Sequence, residues 1–254
     1  MPSHLVIPDT QVKDGVPLHH LEAAGNLIAT IQPDVIIHIG DHADMPSLSE
    51  YDRGKKCFEG RRYEKDILAA RKGMEVLLGP LFDLQKQQRN NRKKVYKPKM
   101  LLTLGNHENR INRIIESEPR LEGTVGLSDL GYEDYGWEVV PYMQPVVVDG
   151  VAYCHFFYNK LSGRPHASAR TTLLREHMSC TQGHQQTLQI ETQYTGDGRR
   201  LTAVTAGAYY LHDEDYKGPS GNDHWRGLIY KQDVEDGEYD ITTMSIKLMI
   251  KEWL

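Results

Sequence analysis

The residues with the means to do chemistry are Asp9, Gln11, Asp41, Asp44, Asn106, His107, His155, His184 and Gln186, and each stands at or near the end of a short apolar run. Leu5-Val6-Ile7 leads to Asp9-Thr10-Gln11, Asp34 to Ile39 to Gly40-Asp41-His42-Ala43-Asp44, and Met100 to Leu104 to Gly105-Asn106-His107-Glu108. Val151 to Phe157 carries His155, and Ser179 to Gln182 leads to Gly183-His184-Gln185-Gln186. Carboxylate and amide oxygens with imidazole nitrogens form a ligand set for divalent cations. A carboxylate can also bridge two ions about 3.5–4 Å apart, the spacing of two-metal phosphoryl-transfer sites, and Asp41 is the natural bridge. The bland alternative for Asn106-His107 is an N-capping Asn with a chance neighbour; the company of four other polar clusters weighs against it.

Something must bring these tips together. Buried-type runs separated by helical patterns predict parallel strand–helix–strand units, whose strand ends gather chemistry along one edge. Helices are expected over Leu18 to Ile31, Arg62 to about Asn90, Asn109 to Glu116 and Ala167 to Met178, the second split or strongly kinked near Gly79-Pro80. After Pro119 the pattern becomes mostly β. Strands are expected at Trp137 to Val140, Pro145 to Val148 and Val151 to Phe157, with His155 inside the last. Further expected strands are Ser179 to Gln182, Thr187 to Thr195, Arg199 to Thr205, Leu228 to Gln232 and Tyr239 to Ile250. The fold class read from this order is α/β, a four-layer α/β/β/α sandwich of two mixed sheets flanked by helices, with residues 1–254 as a single catalytic domain.

At 254 residues the chain can bury one large core, and its net charge of -5 gives no global attraction to nucleic acid or to an anionic membrane. Three cysteines without C-x-x-C spacing suggest neither a disulfide framework nor a zinc knuckle, so a reducing, cytoplasmic home is expected. No apolar run approaches a membrane span and no secretory leader precedes His4, so no membrane partner is expected. Local charge is less even. Lys86, Arg89, Arg92, Lys93, Lys94, Lys97 and Lys99 form a run without an acid, which reads either as a solvated helix end or as a phosphate-backbone contact.

The clusters, taken in order, resemble the signature of the calcineurin-like metallophosphoesterases: Asp-x-His, Gly-Asp-x-x-Asp, Gly-Asn-His-Asp/Glu, a lone His at a strand end, and Gly-His-x-His. The segments around Gly40 and His184 are also similar to phosphoesterases carried by tailed bacteriophages, which would place the protein in a host cytoplasm. The resemblance implies two divalent ions, one held by Asp9, Gln11, Asp41 and Gln186 and the other by Asp41, Asn106, His155 and His184. It implies that His107 faces the substrate and protonates the leaving group. Asp44 and Glu108 are expected to orient His107 or a bound water, and Arg110 either reaches a phosphate oxygen or is structural. Gln stands at 11 and 186 where the family has His, and both changes fall on the same ion. Amide oxygen is harder than imidazole nitrogen, so Mn2+ is the expected ion, with Mg2+, Ca2+, Ni2+ or Zn2+ as others. Weak filling of that position, or glutamines that only hold bridging waters, is the alternative.

What the resemblance implies chemically is hydrolysis of a phosphoester by a metal-activated water. The preferred expectation is a phosphodiesterase or nuclease acting on DNA. The alternatives are a phosphomonoesterase or small-nucleotide phosphodiesterase and, from a different class, a non-catalytic metal- or nucleic-acid-binding module. Oligomeric state is not legible. His38 reads as a core histidine, His42 as a cap, and His212, Asp213 and His224-Trp225 as residues near the mouth of the site.

Overall fold

The computed structural model describes residues 1–214 and 224–254. The first half of the chain consists of β1 (His4–Ile7), α1 (His19–Ile31), β2 (Val35–His38), α2 (Tyr63–Asn90), β3 (Lys99–Thr103), α3 (Arg110–Ser117) and β4 (Glu138–Val140). There follow β5 (Val146–Val148), β6 (Val151–Tyr153), α4 (Ala169–Glu176), β7 (Cys180–Gln182), β8 (Leu188–Tyr194) and β9 (Arg200–Ala206). β10 (Gly227–Glu235), β11 (Glu238–Ser245) and α5 (Ile246–Trp253) close the chain.

Alternation along the strands sets the layers. Leu5 and Ile7 of β1, Ile36 of β2, and Met100 and Leu102 of β3 pack with apolar side chains of α1, α2 and α5. Their neighbours Val6, Val35, Ile37 and Leu101 point the other way, onto Val148, Val151, Tyr153, Val204 and Ala206 of a second sheet. Ala152, Cys180 and Ala203 on the far side of that sheet meet Ala169 and Leu173 of α4. Three apolar interfaces therefore separate four layers, and strands buried on both faces read as continuous apolar runs. The first sheet has the order β11-β10-β1-β2-β3-β4, the second β5-β6-β7-β9-β8, and both mix parallel with antiparallel pairs. The expected α/β sandwich of two mixed sheets is the observed architecture.

Three local expectations need correction. α2 runs unbroken through Pro80, whose ring lies against Gly25 of α1, where the missing side chain leaves room for it. β6 ends at Tyr153, so His155 lies beyond the strand rather than inside it. The last strand stops at Ser245, whose hydroxyl accepts from Leu248 N and starts α5; Ile246 and Met249 then turn inward at helical spacing. The basic run is exposed and leads into the N-terminal end of β3, where Lys99 N bonds Asp34 O and the Tyr96 hydroxyl donates to Pro33 O. Rising about 3.3 Å per residue, β3 carries the chain some 20 Å from that end before it reaches Asn106. No residue of the run forms an ion pair among the described residues. The run is thus exposed and stands at the N-terminal end of β3, away from the strand tips. No described helix is long and apolar enough to cross a membrane, and Cys57, Cys154 and Cys180 are free thiols.

One lysine is sealed between the sheets. Lys231 has no exposed surface, donates to Thr181 Oγ1 and the Tyr153 hydroxyl, and sits 4.6 Å from the Tyr153 ring centre and 4.2 Å from that of Tyr239. Burial drives its pKa well below the ordinary lysine value. A lysine depressed in the folded state binds its proton more tightly when unfolded, so it costs stability at neutral pH and less as pH rises toward the unfolded value. Lys231→Met is therefore expected to be the more stable protein at pH 7, by an amount on the order of 1 kcal/mol or more. Urea titrations from pH 7 to 10 should show the gap between the two proteins narrowing.

Candidate metal centre

The C-terminal tips of β1, β2 and β3 end against the tips of β6 and β7, and the polar clusters meet in the seam. Backbone bonds zip the first two loops together: Gln11 N to Asp41 O, Val12 N to His42 O and Asp44 N to Val12 O, at 2.7–2.9 Å. The third loop is tied to the second by one buried carboxylate. Glu108 Oε2 accepts from Asp41 N and Gly105 N at 3.0 and 2.9 Å, and Oε1 from Ala43 N at 3.0 Å and the Tyr132 hydroxyl at 3.2 Å. The expectation that Glu108 orients His107 or a water is thus replaced: it accepts from the backbone of two loops, and its four donors suit an anion. Burial, followed by the charge of Asp41, pushes its pKa up against those donors.

Two of the motif glycines are required by close approach. A Cβ on Gly105 would lie 2.0 Å from Asp41 Oδ1, and one on Gly183 would lie 2.4 Å from Asp9 Oδ1. Asp41, His184, Gln11 and Gln186 all hold positive φ angles, 49°, 63°, 41° and 59°, conformations uncommon for non-glycine residues. Such strain at four neighbouring polar residues marks a site whose surroundings over-determine it.

Ligand atoms of Asp41, His155 and His184 lie within 4.8 Å of one another. His155 Nδ1 donates to Ile39 O at 2.8 Å, which turns Nε2 toward Asp41 Oδ2 at 3.2 Å and Asn106 Oδ1 at 3.0 Å. A backbone carbonyl on one ring nitrogen with the other aimed at oxygens is the usual setting of a metal-ligating histidine. Phe156, with its ring centre 4.8 Å from that of His184 and 5.7 Å from that of His155, packs against both. Burial, the largest influence on His155, lowers its pKa, but Asp41 and Asp9 outweigh it and hold the ring at about 10. Asp41 is pushed up by burial and pulled further down by His107 and His155, to well below the usual carboxylate range. Asp41, Asn106, His155 and His184 therefore suit one divalent cation.

The second position fits less evenly. Asp9 Oδ1 accepts from His184 N at 3.1 Å and Oδ2 from Gln186 Nε2 at 3.4 Å, while Gln186 Oε1 accepts from the Tyr210 hydroxyl at 3.0 Å. Burial raises Asp9 to about 6. Gln11 differs: its Oε1 is buried without a hydrogen-bond partner among the described residues, and the side chain lines the cleft. An orphaned carbonyl oxygen in the cleft that Asp41 also lines is a candidate cation ligand.

His107 lies beside these groups without joining them. Its Nδ1 donates to Asp44 Oδ1 at 2.8 Å, its backbone N donates to Asp41 Oδ1 at 2.9 Å, and Nε2 stands 3.8 Å from Asp41 Oδ2. Burial disfavours the charged ring, but Asp41 and Asp44 overcome it and raise the pKa. Asp44 is thus the orienting carboxylate that the sequence suggests. Arg110 is both structural and close to the chemistry: Nη1 donates to Asp44 O at 2.7 Å and Met45 O at 3.2 Å, and Nη2 lies 3.2 Å from His107 Nε2. His38 and His42 share the Thr10 hydroxyl, and His42 Nε2 donates to Ala70 O, so both are core residues and His42 is no cap. His224 lines the cleft, Arg226 ties Asp213 down at 2.8 Å, and His212 pairs with Glu214. Tyr210, Phe156, Lys13 and Glu214 give no warning in the sequence, because their roles rest on contacts distant along the chain.

No family model matches the chain, and no curated protein does. Among solved structures, Vps29 from Entamoeba histolytica complexed with Zn2+ aligns over 96% of this chain and 99% of its own, at 9% identity and a TM-score of 0.41. A second solved chain aligns over 96% of this one and 100% of its own, at 13% identity and a TM-score of 0.34. Likeness this distant carries no argument about chemistry, which rests on the side chains above.

Two outcomes follow. Glu108→Gln presents an amide nitrogen to donors that need an acceptor, and is expected to cost about 2 kcal/mol or more in urea unfolding and to weaken metal binding with it. Gln11→His places imidazole where an oxygen has no partner, whereas Gln186→His also breaks the bonds to Asp9 and Tyr210. Calorimetric titration should therefore show zinc affinity rising in Gln11→His by roughly tenfold and less in Gln186→His.

Proposed function

We propose that the protein is a divalent-metal-dependent phosphoester hydrolase whose substrates are the phosphodiesters of nucleic acid, DNA first. The observation that carries this reading is the meeting of Asp41, His155 and His184 within 4.8 Å beside a histidine–carboxylate pair aimed at the same cleft. In the proposed roles, Asp41, Asn106, His155 and His184 hold one ion, and Asp9, Gln11 and Asp41, with Gln186 at the edge, hold a second, softer imidazole ligands being absent from that position. Oxygen ligands there favour manganese. Such ions supply Lewis acidity at a phosphoryl oxygen and lower the pKa of water.

The remaining work belongs to the chain itself. His107, held through Nδ1 by Asp44, turns Nε2 toward the cleft and gives a proton to the leaving oxygen. Arg110 Nη2, next to that nitrogen, is placed to meet charge on a phosphoryl oxygen. The cleft, about 630 Å3, is lined by Lys55, Arg110, Asp41, Asp52 and Tyr51, which is 84% exposed, among others, and Lys55 pairs with Asp52 at 3.1 Å. Cations beside an exposed aromatic ring are how unpaired strands are held, phosphates on one and bases on the other. In this reading these residues, rather than the basic run, are the strand contacts.

Bis-p-nitrophenyl phosphate, p-nitrophenyl phosphate, single-stranded DNA and duplex DNA, each with manganese, magnesium, zinc and nickel, test the reading. The diester and single-stranded DNA should be hydrolysed best, with manganese. On single-stranded DNA, His107→Ala should lose about 100-fold or more in kcat while keeping its metal, whereas Asp41→Ala should lose both. Hydrolysis of neither diester by the wild type overturns the reading, and loss of metal from His107→Ala overturns the role given to that ring.

A further inference from the structure

Both oxygens of Asp44 are engaged. Oδ1 accepts from His107 Nδ1 at 2.8 Å, and Oδ2 lies 3.1 Å from Lys13 Nζ. Lys13 in turn donates to Glu214 Oε1 and Oε2 at 2.8 and 2.9 Å, and Glu214 Oε1 is 2.8 Å from His212 Nε2. An unbroken chain of charge-assisted bonds thus runs from the segment after β9, through Lys13, to the carboxylate behind His107. Lys13 is the most exposed side chain of the five, at 22%, and Asp44 and Glu214 are 6% and 5% exposed. A cavity of about 390 Å3 lies against the chain, lined by Lys13, Asp44, Arg110, His212 and Glu214 among others.

We infer that Lys13 is a positioning residue for leaving-group protonation: by holding Asp44 Oδ2 it keeps Oδ1 on His107 and keeps Nε2 of that ring facing the cleft. The inference rests on the phosphodiesterase reading. A carboxylate fixed at one oxygen can still rotate about its terminal torsion, which is broad and soft; fixed at both, it cannot. The ammonium suits the task because it offers three donors and spends them on Asp44 and Glu214 together.

The proton balance separates this role from mere structure. In hydrolysis the water oxygen bonds to phosphorus, the bond to the leaving oxygen breaks with its electron pair, His107 Nε2 supplies the proton to that oxygen, and the proton shed by water goes to solvent. A nitrophenolate departs without help from an acid, whereas the alkoxide of a nucleoside does not. Losing Lys13 should therefore be felt on alkoxide leaving groups above all.

The test compares kcat on bis-p-nitrophenyl phosphate and on the dinucleotide thymidylyl-thymidine for the wild type, Lys13→Met, Lys13→Arg and Glu214→Gln, with metal content and melting temperature for each. Lys13→Met is expected to lose about tenfold more on the dinucleotide than on the nitrophenyl ester, with metal retained. Lys13→Arg should recover part of the loss, because a guanidinium can still span two carboxylates. Glu214→Gln should show a smaller loss with the same selectivity. Equal losses on both substrates, or losses that track metal content, overturn the inference while leaving the phosphodiesterase reading in place. Should Lys13→Met fail to fold, the ratio in Lys13→Arg and Glu214→Gln decides, and an unchanged ratio overturns it. A wild type that hydrolyses neither substrate removes the function and this role together.

Discussion

One carboxylate holds the site's geometry. Glu108 accepts from the backbone of Asp41, Ala43 and Gly105, and so fixes the loop after β2 to the loop after β3. Asp41 sits at a positive φ of 49° and His107 N donates to its side chain, so neither residue has a position independent of that anchor. Because Glu108 has no exposed surface, water cannot replace any of the donors it satisfies. The pair of loops behaves as one rigid corner, and Asp41 and Asn106 project from it toward the other sheet.

The polar network beyond that corner sorts the site into groups free for a ligand and groups already occupied. His155 gives one ring nitrogen to Ile39 and keeps the other for the cleft. Gln186 is committed to Asp9 and Tyr210, while Gln11 is not committed through its oxygen. The two substitutions that look equivalent in the sequence are therefore unlike in their surroundings. Identical side chains acquire different capacities from what their second atoms touch.

Much of this was legible in the sequence, for a physical reason. Strands buried on both faces announce themselves as apolar runs, and a glycine followed by Asp, Asn or His at the end of such a run exposes polar atoms where the backbone turns. The alternation of strands and helices and the gathering of polar residues at strand ends follow from that, whereas the grouping of Asp41, His155 and His184 on one ion and the choice of Asp44 or Glu108 to orient His107 rest on the family resemblance. The failures have causes equally specific. Pro80 reads as a split or a strong kink because nothing local says that Gly25 would receive its ring. The run from Tyr239 to Ile250 alternates well enough for a strand until Ser245 caps a helix. Glu108 and Lys13 hold partners brought close only by folding, and Glu214 lies two hundred residues from Lys13, beyond any spacing rule.

The cleft straddles a joint. Asp41 and Asn106 come from the first sheet, His155 and His184 from the second, and between the sheets lie mainly apolar contacts such as Val6, Ile37, Val151 and Val204, with Lys231 and its hydroxyl partners Thr181 and Tyr153 among the polar ones. Coordination tolerates errors of a few tenths of an ångström, so the thickness of that apolar layer would act as a spacer gauge for an ion held there. The packing of the interior would in this sense take part in holding the candidate ligands at the spacing a cation needs.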